Sequence, residues 1–363
     1  MEPVNISDFE ILAKKKLDKN AFDYFYSGAN DEITLKENCE AFKRIFSKYR
    51  VLVNVSKRDL TTKILGHNIS MPVIIAPTAF QKLAHPDGET ASATAAGKNG
   101  IIMILSTLSN TSVEEVVKAS SGPVWFQLYV FRDREITREL IKKAEAAGVK
   151  AIVLTVDAPL LGKRENDVRN KFNLPPEFEI ANLAFVSKSN LNVKNDSGLT
   201  GYVSENLDPS LSWKDIDWLR SVTSLPIILK GIACKEDALL ALEHNIEGIV
   251  VSNHGGRQLD TCRASIDVLP EISNAVSGKT EILLDGGIRR GTDILKALAL
   301  GASTVLTGRP VLWGLSHNGE DGVTDVLNIF KNELDLAMAL CGCSDIKKIT
   351  KELIVQNQIS FQR

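Results

Sequence analysis

The chain has 363 residues, with 43 Lys+Arg against 45 Asp+Glu, a net charge of −2 and 44% hydrophobic residues. This near-neutral, globular composition gives no electrostatic case for nucleic acid or an anionic membrane surface as a partner. Its apolar runs stay well short of the roughly 20 residues that a membrane span needs. The opening stretch, Met1 to Glu10, lacks the basic start and apolar core of a secretory signal. The last three residues, Phe361-Gln362-Arg363, do not match a Ser-Lys-Leu peroxisomal tail. The cysteines (Cys39, Cys234, Cys262, Cys341 and Cys343) are few and scattered, as in a reducing compartment. A cytoplasmic or peroxisomal location is therefore expected. Cys341 and Cys343 form the only close pair and read as helix-end packing, so no metal is expected.

Residues 6–43 read as helices. Ser7 and Asp8 suit a cap, and Leu12, Ala13, Leu17 and Phe22 recur at helical spacing. The aromatics Tyr24-Phe25-Tyr26 follow. Residues 62–70 predict a small hairpin about Gly66-His67-Asn68 that plugs one end of the fold. From residue 72 a rhythm begins. Strands are expected at 72–76, 101–105, 124–129, 151–156, 226–229, 248–251, 281–284 and 304–306. Helices are expected at 88–98, 112–119, 134–147, 213–222, 235–243, 266–276 and 291–299, with a last one at 322–340. Eight alternations of apolar strand and helix predict an α/β fold, the (β/α)₈ TIM barrel. An open doubly wound sheet is the rival, but no Gly-x-Gly-x-x-Gly turn follows the first strand. One connection is long: about 55 residues separate the fourth strand from the next clear helix. Its polar stretch is expected to form a lid at about 165–210. The whole chain, 1–363, reads as one domain with an N-terminal helical extension, 1–70.

Chemistry in such a barrel gathers at the C-terminal strand ends. Strand one delivers Pro77, Thr78 and Ala79; strand two, Ser106 and Leu108; strand three, Gln127 and Tyr129. Strand four ends in Thr155 and Asp157, with Arg164 beyond, and strand five in Lys230. Asp157 reads as the ion-pair partner of a nearby base. Strand six gives Ser252-Asn253-His254-Gly255-Gly256-Arg257, a titratable imidazole three residues from a guanidinium, on a loop that two glycines let turn sharply. Strands seven and eight end in glycine-rich turns with arginines: Asp285, Gly286, Gly287, Ile288 and Arg289, then Gly308 and Arg309. Such turns commonly hold a phosphate in this fold. Opposite them, His254, Arg257, Arg164, Tyr129 and Tyr24 suit a small 2-hydroxy acid.

Ser252–Gln258, Leu284–Asp293 and Trp125–Tyr129, together with Tyr24–Ala29 and Met338–Cys343, resemble the FMN-dependent 2-hydroxy acid oxidases, closest to the glycolate and lactate oxidase branch. The resemblance runs over essentially the whole chain. It implies that FMN contacts Pro77, Thr78, Ala79, Ser106, Gln127, Tyr129, Thr155, Lys230 and Ser252, with its phosphate on Asp285–Arg289, Gly308 and Arg309. Substrate would meet Tyr24, Leu108, Tyr129, Arg164, His254 and Arg257. His254 would be the base, with Tyr129 and Arg257 beside it in the reaction. Lys230 would stabilise the anionic reduced flavin. O₂ would be the electron acceptor, giving a 2-oxo acid and H₂O₂, in a homotetramer or octamer. Leu108 stands where plant-type glycolate oxidases usually carry tryptophan, which leaves room for lactate, whereas Thr78 and Val203 follow the glycolate pattern. Two rivals stay open: a Schiff-base aldolase using Lys230 on a phosphorylated substrate, and a flavin-binding barrel without activity.

Overall fold

The computed structural model describes residues 2–175, 177–186 and 205–356. Eight short apolar runs form the expected parallel strands: β1 Val73–Ile75, β2 Ile102–Leu105, β3 Val124–Leu128, β4 Ile152–Thr155, β5 Ile227–Ile232, β6 Gly248–Val251, β7 Glu281–Leu284 and β8 Thr304–Thr307. Each pairs with its chain neighbours and β8 closes on β1, so the sheet is a complete barrel. Burial on both faces explains why the strands read as unbroken apolar runs rather than as alternating ones.

Inward-facing residues from all eight strands, among them Ile74, Ile104, Trp125, Val153, Ile228, Val250, Leu283 and Leu306, fill the barrel. Ile64 and Ile69 of the hairpin Thr62–Ile64/His67–Ile69 join that same cluster. The hairpin is thus the expected plug. Outward-facing residues pack under the ring of helices.

The expected helices appear nearly as read. Ser112 and Glu115 cap the helix Val113–Ala119 reciprocally. Gly148, at φ 96°, ends Arg134–Ala147 in the left-handed conformation that favours glycine. The last helix is longer than expected, Arg309–Cys341, with a break at Asn318-Gly319. Gly308-Arg309-Pro310 reads as a loop in sequence, but proline is tolerated in a first helical turn, where its missing N–H is not needed. β5 also runs on to Ile232, so Lys230 stands inside the strand at a register shift rather than at its end.

Before the barrel come α1 (Ile6–Lys16), α2 (Lys19–Tyr26) and α3 (Ile33–Lys43). Phe22 stacks on Trp313 of the last helix, and Phe9 meets His317 edge-on. The long connection after β4 holds a short helix, Glu165–Arg169, and a 3₁₀ turn, Ala181–Leu183. The rest of the expected lid, 187–204 with Val203, lies outside the described residues. Among the described residues no helix is long and apolar enough to cross a membrane.

Candidate active site

All eight strands end at one rim, around a cleft enclosing about 1220 Å³, open solvent at its mouth included. The turn after β6 is its centre. His254, Gly255 and Gly256 have φ of 58°, 63° and 74°, three consecutive left-handed residues. Two glycines adopt this freely. For His254 it costs about 1–2 kcal/mol, strain of the kind that surrounding contacts must hold in place. α3 supplies those contacts. A Cβ on Gly256 would stand 2.6 Å from the Leu35 nitrogen, so the two backbones meet closely there. Asn38 and Asn253 exchange a reciprocal pair of amide hydrogen bonds, 2.9 and 2.7 Å. Asp260 accepts from the N–H groups of Asp31, Ile33 and Thr34, capping the start of α3.

The imidazole is oriented by Asp157, whose Oδ1 lies 2.7 Å from His254 Nδ1. Burial opposes the charge on Asp157, but His254 and Lys230 outweigh it and hold the carboxyl below its usual range. An ionised carboxylate only accepts, so Nδ1 carries the hydrogen and Nε2 has its lone pair. Burial pulls His254 itself below the usual imidazole value, and Lys230 acts the same way, while Asp157 opposes both. The ring is therefore neutral near pH 7.

Two arginines lie alongside, Arg164 buried and Arg257 half-buried. Burial, then repulsion from Arg164, pulls Arg257 down to about 10. It remains charged, in surroundings that an anion would relieve. Its Nη1 donates to the Tyr24 and Ser27 carbonyls, and its guanidinium lies over the Tyr24 ring. Arg164 approaches Asp167 at 4.0 Å. Tyr24 stacks on Phe172, and burial raises the phenols of both Tyr24 and Tyr129, so both keep their protons.

Deeper in, Lys230 Nζ lies 3.0 Å from Asp285 Oδ2 and donates to Ser252 Oγ at 3.1 Å. Burial opposes its charge, yet Asp285 and Asp157 more than offset this and raise it. Gln127 Nε2 donates to Thr155 Oγ1 at 3.0 Å, while its Oε1 accepts from the Ser106 hydroxyl at 3.3 Å. These groups form one polar wall.

The wall continues into the turns after β7 and β8. Gly286 and Gly287 have φ of 94° and 87°. A Cβ on Gly287 would stand 1.9 Å from the Asn38 carbonyl oxygen. Among the described residues no protein acceptor meets the N–H groups of Gly286, Gly287 or Gly308. Asp285 Oδ1 and Thr307 Oγ1 are likewise buried without a protein partner among those residues. Burial, then repulsion from Arg257 and Arg289, pulls Arg309 down to about 9. Backbone donors beside crowded cations fit a phosphate, and the polar wall fits a ring with donor and acceptor edges. The residues present therefore fit FMN.

Each residue expected at the site lines this cleft except Ser252. Ser252 sits behind it, its Oγ accepting from both Lys230 and the His254 N–H. Arg309 has a second task that the sequence did not suggest: it donates to the Phe25, Tyr26, Ser27 and Gly255 carbonyls. Asp157, read from sequence only as a generic ion-pair partner, is the group that fixes the imidazole. Sequence reasoning missed Gln258, which donates to the Asp157 and Leu160 carbonyls and ties the tail of β4 to the β6 turn. It also missed Asn182, fully buried, which donates to the Ser109 hydroxyl and anchors the long connection after β4 on the β2 loop. Nothing local distinguishes Asn182 from the other polar residues of the insertion.

Residues 13–356 match the family model described as FMN-dependent dehydrogenase. An L-lactate oxidase from Nostoc sp. is 54% identical over 96% of this chain and 96% of its own. A glycolate oxidase from Spinacia oleracea is 50% identical over 98% of this chain and 96% of its own. A crystal structure of mandelate oxidase with (S)-4-hydroxymandelic acid superposes with a TM-score of 0.90 at 40% identity, covering 95% of this chain and 97% of that one. By sequence and by fold, the chain belongs to the FMN-dependent dehydrogenase family.

Proposed function

We propose that the protein oxidises small L-2-hydroxy acids, glycolate and L-lactate, to 2-oxo acids, with O₂ as the electron acceptor. The observation that carries this is the meeting of a neutral, tautomer-fixed imidazole with two arginines, Arg164 buried and Arg257 half-buried, in one cleft. The likeness to an L-lactate oxidase and a glycolate oxidase supports the same substrate class.

Arg257 and Arg164 hold the acid's carboxylate, Arg257 through the guanidinium nitrogens not used by Tyr24 and Ser27. That fixes the reacting carbon beside His254 Nε2. Tyr129 and Tyr24, still protonated, donate to the hydroxyl oxygen. His254 takes a proton from the substrate, and Asp157 stabilises the imidazolium that results. Lys230, beside Thr155 and Gln127 in the polar wall, would offer positive charge to the flavin ring. Bound FMN would supply the two-electron redox chemistry between the acid and O₂, with a 2-oxo acid and H₂O₂ as products. Pro77, Thr78, Ala79 and Ser106 would hold its ring, and Gly286, Gly287, Ile288, Arg289, Gly308 and Arg309 its phosphate.

The aldolase reading needs a neutral amine on Lys230. Its ion pair with Asp285 keeps the proton on and argues against that chemistry. The same proposal takes the chain as one domain in a homotetramer or octamer, in the cytoplasm or peroxisome, with sedimentation and cell fractionation as the checks. The activity is tested by peroxide release on adding L-lactate or glycolate to the flavin-loaded protein. Stoichiometric peroxide and 2-oxo acid are expected; no product from any small 2-hydroxy acid would overturn the reading.

A further inference from the structure

The helix Gly88–Lys98 carries a carboxylate that the chemistry above does not use. Glu89 is fully buried, at 0% exposure. Its two oxygens accept from two different loops. Oε1 accepts from the Gln81 N–H at 3.1 Å, after β1, and from the Asn110 N–H at 3.0 Å, after β2. Oε2 accepts from the Thr111 hydroxyl at 2.9 Å. A buried carboxylate is costly unless its hydrogen bonds are made, and these three donors make them.

Both loops face the cleft. The first carries Thr78 and Ala79, and the second carries Ser106 and Leu108. Gln81 relays the link: its Nε2 donates to Thr78 Oγ1 at 3.0 Å, and its Oε1 accepts from the Ser92 hydroxyl at 2.7 Å. Between them, Phe80 donates its N–H to the Leu108 carbonyl at 3.2 Å. Phe80 is left-handed, at φ 59° and ψ 45°. A bulky residue in that region persists only where its surroundings hold it. The N–H that Glu89 grips belongs to the very next residue.

We infer that Glu89 is a positioning residue for substrate size: it sets the gap between the Thr78 and Leu108 loops, and so the room beside the acid's Cα. The inference rests on the reading that Leu108 faces the substituent of a 2-hydroxy acid. Thr78 and Leu108 line one cleft from adjacent strands, and a carboxylate of fixed length joins their loops from behind. Shortening that carboxylate lets the loops part.

The test is kcat and KM for glycolate and L-lactate on the FMN-loaded protein, for the wild type, Glu89→Gln, Glu89→Asp and Leu108→Ala, with FMN content read from absorbance. Glu89→Gln keeps an acceptor for both amides, and the Thr111 hydroxyl can turn to accept, so the lactate-to-glycolate ratio of kcat/KM stays within about twofold of the wild type. Glu89→Asp is one methylene short of spanning both loops. Its ratio shifts towards lactate by roughly fivefold, below the 10–200-fold that a full methylene in a pocket is worth, with FMN content unchanged. A merely structural role would lower both activities alike and leave the ratio in place, which overturns the inference. If Leu108→Ala moves the ratio and Glu89→Asp does not, this inference fails and the Leu108 reading stands. If neither moves it, both fail. Should Glu89→Asp not fold, Gln81→Leu removes the relay to Thr78 together with the acceptor of the Ser92 hydroxyl; it is expected to shift the ratio in the same direction, and an unmoved ratio overturns the inference.

Discussion

Asp157 Oδ1 and His254 Nδ1, 2.7 Å apart, join the tail of β4 to the turn after β6 across the top of β5. Asp157→Asn removes both the tautomer preference and the charge that stabilises the imidazolium. Substrate reduction of the flavin is expected to slow by about 10²–10³-fold, within the range for a general base. FMN content is expected to stay unchanged, since Asp157 does not line the cleft. Anaerobic stopped-flow absorbance checks both points.

The pH profile follows from the same pair. The base must be neutral to work, and burial holds His254 below the usual imidazole value. Activity is therefore lost as pH falls through that lowered value, and the acid limb lies below about 6.5. Asp157 is the group that pulls His254 upward, so Asp157→Asn is expected to move the limb lower still. The pH dependence of kcat/KM for L-lactate checks the sign.

Arg257 serves two structures at once. It faces the cleft, and it holds the Tyr24 and Ser27 carbonyls at the end of α2. Arg257→Met keeps the stem and removes the charge. Losing one side of a buried charged contact costs about 2–5 kcal/mol, so KM for the acid is expected to rise by at least about 30-fold. The N-terminal helices should also be cleaved faster by protease, since two of their tethers are gone.

Leu108 is buried at the rim, where tryptophan would narrow the space beside the substrate. L-lactate is expected to be at least competitive with glycolate in the wild type. Leu108→Trp should lower kcat/KM for lactate more than for glycolate, by about 10-fold or more for one methyl group. Steady-state kinetics on the two acids measure this, and a strong wild-type preference for glycolate would remove Leu108 as the determinant.

The barrel was legible because both faces of each strand are buried: Ile249, Val250 and Val251 are all fully enclosed, and the sequence shows them as one apolar run. The rim was legible because its polar residues directly follow such runs. What the sequence hid depends on contacts between distant segments. Asn38 on α3 meets Asn253 across 215 positions, and Asp260 caps a helix 226 positions earlier. Neither pattern leaves a local trace. Glu89 was hidden for a different reason: in the first turn of a helix a glutamate reads as an ordinary solvated residue, and only packing shows it to be enclosed. Arg309 was legible only in part, since a charge near a glycine turn suggests a phosphate and says nothing of the carbonyls it also holds.

The most direct test of the account is the reduction of bound flavin by L-lactate without oxygen, comparing the wild type with His254→Ala. The wild type is expected to purify yellow, with about one FMN per chain, and to bleach on mixing. His254→Ala is expected to hold FMN equally well and to bleach slower by at least about 10²-fold. A protein that takes up no FMN, or a His254→Ala variant that bleaches at the wild-type rate, would contradict it.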